Sequence, residues 1–263
     1  VSTVAKTARF VWEQMKVNVL AAMEYRVSFL TQVVFMLLND ILLLFFWWVL
    51  FQRFDEVAGW QQHDVFLLYA MVAGTFGLAS AIFGNTGRLS TIIAEGQLDY
   101  YLALPKDVWL NVLISRSSAS AIGDFVFAFT LCIFLLGFSV QVLLAVLCML
   151  IAAVLYTALV AMAHSLSFYL GNAEQIASLF SEAIMNFGLY PISIFSLTVR
   201  VLFFTVIPVA FISYVPVTLV RNFTWPLFAL FLAATVLGVS LSRWVFYAGL
   251  RRYESGNLVA PRM

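Results

Sequence analysis

Long apolar runs separated by short polar breaks fill most of the chain. They lie at about 27–51, 64–86, 112–137, 141–170, 174–196 and 225–249. A helix needs roughly 20 apolar residues to cross the hydrocarbon of a bilayer, and each run reaches that length. Helices are the expected form, because a helix satisfies its own backbone hydrogen bonds where no water is present. The pattern predicts an all-α polytopic membrane protein, one transmembrane domain over 1–263 with six transmembrane helices.

Three stretches break the rhythm. Over 1–25, Val4, Ala8, Val11, Trp12, Met15, Val19, Ala22 and Met23 recur at spacings of three and four, with Lys6, Arg9, Glu13 and Lys16 opposite. A basic amphipathic helix bearing Trp suits the membrane interface, while a soluble partner is the alternative for its apolar stripe. Between the second and third runs, 87–109 reads GRLSTIIAEGQLDYYLALPKDVW, too polar to span and too apolar for a flexible linker. A short helix there would present Leu98, Tyr101, Leu102 and Leu104 as a knob for a groove, or fold that stripe back onto its own bundle. Over 198–223 the apolar sequence is interrupted by Pro208 and Pro216 and flanked by Arg200 and Arg221. Proline breaks helices, so two short helices dipping into the membrane and returning are expected there.

Charge sets the orientation. An even number of crossings puts both termini on one side, together with Lys6, Arg9, Lys16, Arg26, Arg88, Lys106, Arg116, Arg243, Arg251, Arg252 and Arg262. Arg53, Arg200 and Arg221 remain on the other, so the positive-inside rule predicts cytoplasmic termini. The first apolar run starts too late and is too long for a cleaved secretion signal, and Val1 is expected to follow a removed initiator Met.

Composition supports the membrane reading and narrows the chemistry. Of the 263 residues, 63% are hydrophobic and 10% charged. Mean hydropathy is +1.00, far from the roughly 25% charged composition of soluble domains. A net charge of +1 gives no reason to expect nucleic acid. Cys132 and Cys148 sit inside apolar runs and read as small hydrophobes. No G-x-x-x-x-G-K-[ST] loop occurs, and His63 and His164 are predicted at opposite faces of the membrane. Catalytic, cofactor and metal sites are therefore not expected in this chain, which reads as a non-enzyme. His164 is expected to make a polar contact between helices.

Polar groups within the spans are the remaining chemistry. Asn39 and Asp40 fall at the middle of the first run, Asp124 in the third and Glu182 in the fifth. Ionisable groups at depth cost roughly 2.5–3.5 kcal/mol on insertion scales. Two roles stay open for Asn39, Asp40 and Glu182: a substrate pathway favouring a cationic part, or contacts between helices. Ala73, Gly77 and Ala81, with Gly74, Ser80 and Gly84 beside them, form a small-residue ridge for close helix packing.

Taken in order, the amphipathic first helix, Gly96-x-Leu98-Asp99 with Pro105, Tyr190-Pro191, and Pro208-x-x-Phe211 with Pro216 carry a resemblance over nearly the whole chain. The chain resembles the permease subunits of ABC exporters of the drug-, lipid- and polysaccharide-export class, in the daunorubicin-permease-like six-helix branch. The resemblance implies an efflux exporter in the plasma (inner) membrane for an amphiphilic or hydrophobic substrate. Glu95, Gly96, Leu98, Asp99, Leu102 and Pro105 would form a coupling helix seated on a separate ABC-type ATPase. Two ATPase copies, binding ATP and Mg, would serve a dimer of permeases, identical or paralogous. Pro208, Phe211 and Pro216 would belong to a re-entrant gate at the outer mouth. The competing reading is a secondary transporter or channel independent of ATP, built on the proline-broken helices.

Overall fold

The computed structural model describes residues 3–254, all of whose regular structure is helical. Val1, Gly256 and Arg262 fall outside the described residues, as do the side chains of Val4, Lys6, Ala8 and Ala22 on the first helix. The elements are α1 (Thr3–Glu24), α2 (Arg26–Phe51), α3 (Gln62–Phe83), α4 (Leu89–Ala94), α5 (Leu98–Leu102), α6 (Val108–Ile114) and α7 (Ile122–Leu136). They continue as α8 (Val140–His164), α9 (Ser167–Leu170), α10 (Glu174–Gly188), α11 (Leu197–Thr205), α12 (Tyr214–Arg221) and α13 (Trp225–Leu250).

Four helical stretches are long and apolar enough to cross a membrane: α2, α3, α8 continued by α9, and α13. A fifth arises only if α11 and the stretch Val209–Arg221, bent by 70°, are taken together. The bend falls at Pro208, and Pro216 sits in the first turn of α12, where its missing N–H costs little.

Two of the six apolar runs are not single full-length helices. The run at 112–137 is interrupted: α6 ends at Ile114 and α7 begins at Ile122. Serines compete with the helix for backbone partners, and Ser115 turns its hydroxyl onto the Val112 carbonyl at 2.9 Å. The break is held from outside by Asn18 of α1, which donates to the Ile114 carbonyl (3.2 Å) and to Ser117 Oγ (2.9 Å). The run at 174–196 stops at Gly188, because Pro191 disfavours helical backbone at Tyr190. α7 and α10 have 15 residues each, roughly 22 Å of helix against a hydrocarbon core of roughly 30 Å.

α3 is the hub. Of its membrane-length window 67% is buried, against 11% for α2 and 17% for α13. The small-residue ridge explains the difference. A Cβ on Gly77 would lie 2.6 Å from the Phe125 backbone nitrogen, and one on Gly84 2.6 Å from that of Ser118. Gly74 gives the same close approach to Met149 of α8 and Ala128 of α7.

α1 runs along the end of the bundle where α13 also finishes, the terminal end. It faces the bundle with Gln14 and Asn18, and Lys106 lies 4.8 Å from the centre of the Phe10 ring. Trp12, Leu20 and Met23 stay exposed, which suits an interfacial helix. A second apolar cluster at this end joins Leu89, Ile92, Ile93 and Leu98 to Trp109, Leu113 and Phe246.

Replacing Gly77 by Ala is expected to lower stability by about 1–3 kcal/mol, since backbone must shift to admit the methyl. Gly87, whose added Cβ would meet nothing within 4 Å, serves as the control. Thermal unfolding in detergent should separate the two; equal stability would contradict the close packing of α3 on α7.

Candidate functional site

The 87–109 segment forms two short helices, α4 and α5, turned at Gly96 and followed by α6. Gly96 has φ +74°, a left-handed conformation that glycine adopts without cost. Four of the surrounding elements tie this segment down. Asn85, just beyond α3, donates to the Val112 carbonyl and to Ser115 Oγ, both at 2.8 Å, and Tyr101 OH meets Ser115 Oγ at 2.9 Å. Ser90 of α4 bonds His164 Nδ1 of α8 at 2.8 Å, buried on both sides. His164 thus makes the polar helix contact expected of it. Thr91 donates to Glu174 Oε2 of α10 at 3.0 Å.

The fourth tie is ionic. Asp107 caps α6 by accepting from the Leu110 N–H at 2.9 Å. Arg243 of α13 grips the same carboxylate through both nitrogens, at 2.7 and 3.1 Å, and Tyr247 OH donates to it at 3.2 Å. Burial pushes the Asp107 carboxyl up, but the bonds from Arg243 and Leu110 outweigh it and hold the group below its ordinary value. Such two-pronged contacts fix orientation as well as distance.

The residues predicted for coupling separate into anchors and tip. Leu98 is fully buried among Leu89, Ile93 and Trp109, so it is an anchor and not the exposed knob expected from the sequence. The stripe that was to meet a partner is folded partly back onto the bundle, because burying it there removes apolar surface from water. Tyr101 and Leu104 are likewise half-buried. Glu95, Asp99, Leu102 and Pro105 are exposed, and Gln97 and Tyr100 join them. The tip is therefore acidic and aromatic, with Gly96 at its turn.

The polar groups within the bundle fall into two cavities. Asp40 of α2 accepts from Tyr69 OH of α3 at 2.8 Å, and both Asp40 and Asp124 are buried. They line a cavity of about 130 Å³ with Asn39, Met36 and Phe76, and each keeps one oxygen without a hydrogen-bond partner. Glu182 lies elsewhere, exposed on α10, in a groove of about 350 Å³ with Ser178, Ser181 and His164. Within one chain Asp40 and Glu182 do not share a cavity; Phe76 lines both and stands between them. Asp40 meets Asp124 and Tyr69 instead.

The proline-broken stretch packs at the opposite end. Phe211 and Pro216 are buried, Pro208 is half-buried, and Phe204 stacks edge-on against Phe211 and Tyr214. Arg221 lies 3.2 Å from Asp64, joining α12 to the start of α3.

Asn85, Ser90, Thr91, Tyr69 and the Asp107–Arg243 pair were not singled out from the sequence. Only Asp107 carried a local signal, as an N-cap residue shortly after Pro105. The pairings themselves join residues between 27 and 136 positions apart, which no local pattern reveals.

A family model described as an ABC-2 family transporter protein matches residues 37–256. The match spans most of the chain, and the chain belongs to the ABC-2 transporter family. No curated protein and no solved structure matches it.

The Asp107–Arg243 pair makes a pH prediction. A carboxyl held low in the folded state contributes its stability above its unfolded value, and that contribution is lost as pH falls through the lowered folded value. With side chains 35% and 41% exposed, solvent screening limits the effect to about 0.2–1 kcal/mol. The stability difference between the native chain and Arg243→Gln should stay constant from pH 7 to about the ordinary carboxylate value of 3.8 and shrink below it. A difference that grows on acidification would contradict the pairing.

Proposed function

We propose that the chain is the membrane-spanning permease of an ATP-driven exporter, moving an amphiphilic or hydrophobic substrate out of the cytoplasm. Its membership of the ABC-2 family supports a partner ATPase, which would bind ATP and Mg in its own subunit. The observation that carries the reading is the tip formed by Glu95, Gly96, Gln97, Asp99, Tyr100 and Leu102. Its charged and aromatic side chains are exposed while α4, α5 and α6 are tied to α3, α8, α10 and α13. An exposed element fixed at several points passes on force applied to it; a loosely attached one would absorb it.

In this reading the chain crosses the plasma membrane six times, with α7 and α10 completing their crossings through flanking non-helical backbone. The positive charges at the terminal end support a cytoplasmic side for both termini and the tip. α11 and α12 are then a re-entrant pair on the outer side, with Pro208, Phe211 and Pro216 at its bend.

The polar face of α10 supports a dimer of permeases. Gln175, Glu182 and Asn186 are exposed on that helix. Ionisable and polar groups at membrane depth face a partner or a water-filled path and not lipid. A second permease, identical or paralogous, would enclose a path running from the Glu182 groove past Phe76 to the cavity at Asp40. Two ATPase subunits would sit beneath the two tips.

Charge reversal at the tip tests the reading. Glu95→Arg combined with Asp99→Arg should reduce recovery of the ATPase with the permease by about tenfold, equivalent to about 1.4 kcal/mol of binding. Both sites are exposed, so stability should change by no more than about 0.5 kcal/mol. Normal complex recovery together with normal transport would remove the tip from the coupling role.

A further inference from the structure

The break between α6 and α7 opens a cleft that the transport reading leaves without a use. It has a volume of about 440 Å³ and lies between the start of α2, the end of α3 and the serine-rich backbone of 115–120. Arg88 and Arg116 both line it, with Ser117, Ser118, Tyr25 and Phe29 among its walls, and no carboxylate does. Among the described residues neither arginine forms an ion pair.

This arrangement is more than interfacial positive charge. Both arginines are exposed, as orienting charges are, but these two, 28 positions apart, face one polar cleft. A guanidinium presents a planar fork of donors that matches a phosphate in two-pronged fashion, and serine hydroxyls can serve further oxygens. The wall is fixed in advance. Asn18 holds Ser117 Oγ at 2.9 Å, and Ser118 N–H donates to the Ser80 carbonyl at 2.9 Å across the glycine contact at Gly84.

We propose that this cleft binds the phosphate group of an anionic phospholipid drawn from the membrane leaflet at the terminal end. The walls fit both parts of such a molecule. Arg88, Arg116 and the serines take the headgroup, and the Tyr25 and Phe29 rings begin an apolar wall. Phe29 is half-buried there and Tyr25 exposed. The volume exceeds that of several water molecules at roughly 30 Å³ each, enough for a glycerophosphate headgroup with some solvent. The lipid would also pin the junction of α1 and α2 against the end of α3. The proposal rests on the membrane reading and not on the ATPase, so the chain alone can test it.

The experiment measures binding of phosphatidylglycerol, phosphatidylcholine and inorganic phosphate to the purified chain in detergent by native mass spectrometry and thermal shift. The chain with Arg88→Gln and Arg116→Gln together is compared with one carrying Arg251→Gln and Arg252→Gln. Phosphatidylglycerol should bind the native chain and the Arg251/Arg252 variant alike, and the Arg88/Arg116 variant at least tenfold more weakly. Phosphatidylcholine should show no such difference. Should the double variant fail to fold, the single Arg88→Gln and Arg116→Gln variants are each expected to weaken phosphatidylglycerol binding several-fold. Undiminished binding in the folded variants would overturn the site. Inorganic phosphate binding as tightly as phosphatidylglycerol, and lost in the same variants, would overturn the lipid source and leave a soluble phosphate compound as the ligand.

Discussion

At Gly77 the backbone of α7 comes so near α3 that one added methyl would sit 2.6 Å from the Phe125 amide nitrogen. That contact, with the backbone approach at Gly84 and the tight fit of the Met149 and Ala128 side chains at Gly74, makes α3 the most buried of the long helices and fixes what surrounds it. In lipid, apolar side chains gain little by meeting one another, so close backbone approach and polar contacts between helices must supply the cohesion. α3 provides both. Its glycines seat α7 and α8, Tyr69 bonds Asp40 of the otherwise exposed α2, and Asn85 at its end holds the start of the next crossing.

From that hub the structure reaches the terminal end through polar contacts of different kinds. The Ser90–His164 bond is buried and short, Thr91–Glu174 is exposed, and Asp107–Arg243 is a two-pronged ion pair at the surface. None alone contributes more than about 1–3 kcal/mol. Their value lies in position, because they leave α4, α5 and α6 with little freedom to tilt against the bundle. Leu98 and Trp109 add a common apolar core beneath the tip.

Much of this was legible in the residues. The membrane class, four of the helices at close to their expected bounds, the amphipathic first helix and the proline bend near Pro208 follow from apolar length and proline chemistry. The break at 115–118 was not expected within the apolar run 112–137; only Asn18, roughly a hundred positions away, reveals why the helix yields there. Leu98 was misplaced for a similar reason. An amphipathic stripe shows which side chains seek cover but not whether a partner or the parent bundle supplies it. The pairing of Asp40 with Tyr69 and Asp124, and its separation from Glu182 by Phe76, likewise depend on how the helices rotate against one another.

A tip tied at several points should move as one body with the helices behind it. Spin labels at Tyr100 and Arg251, in a chain lacking Cys132 and Cys148 and assembled with its ATPase, measure this directly through their separation with and without ATP. One narrow distance is expected, unchanged by nucleotide, while in the proposed dimer the distance between the two Tyr100 labels shifts. A broad Tyr100–Arg251 distribution, or one that changes when ATP binds, would show the tip swinging on its own and would contradict the account.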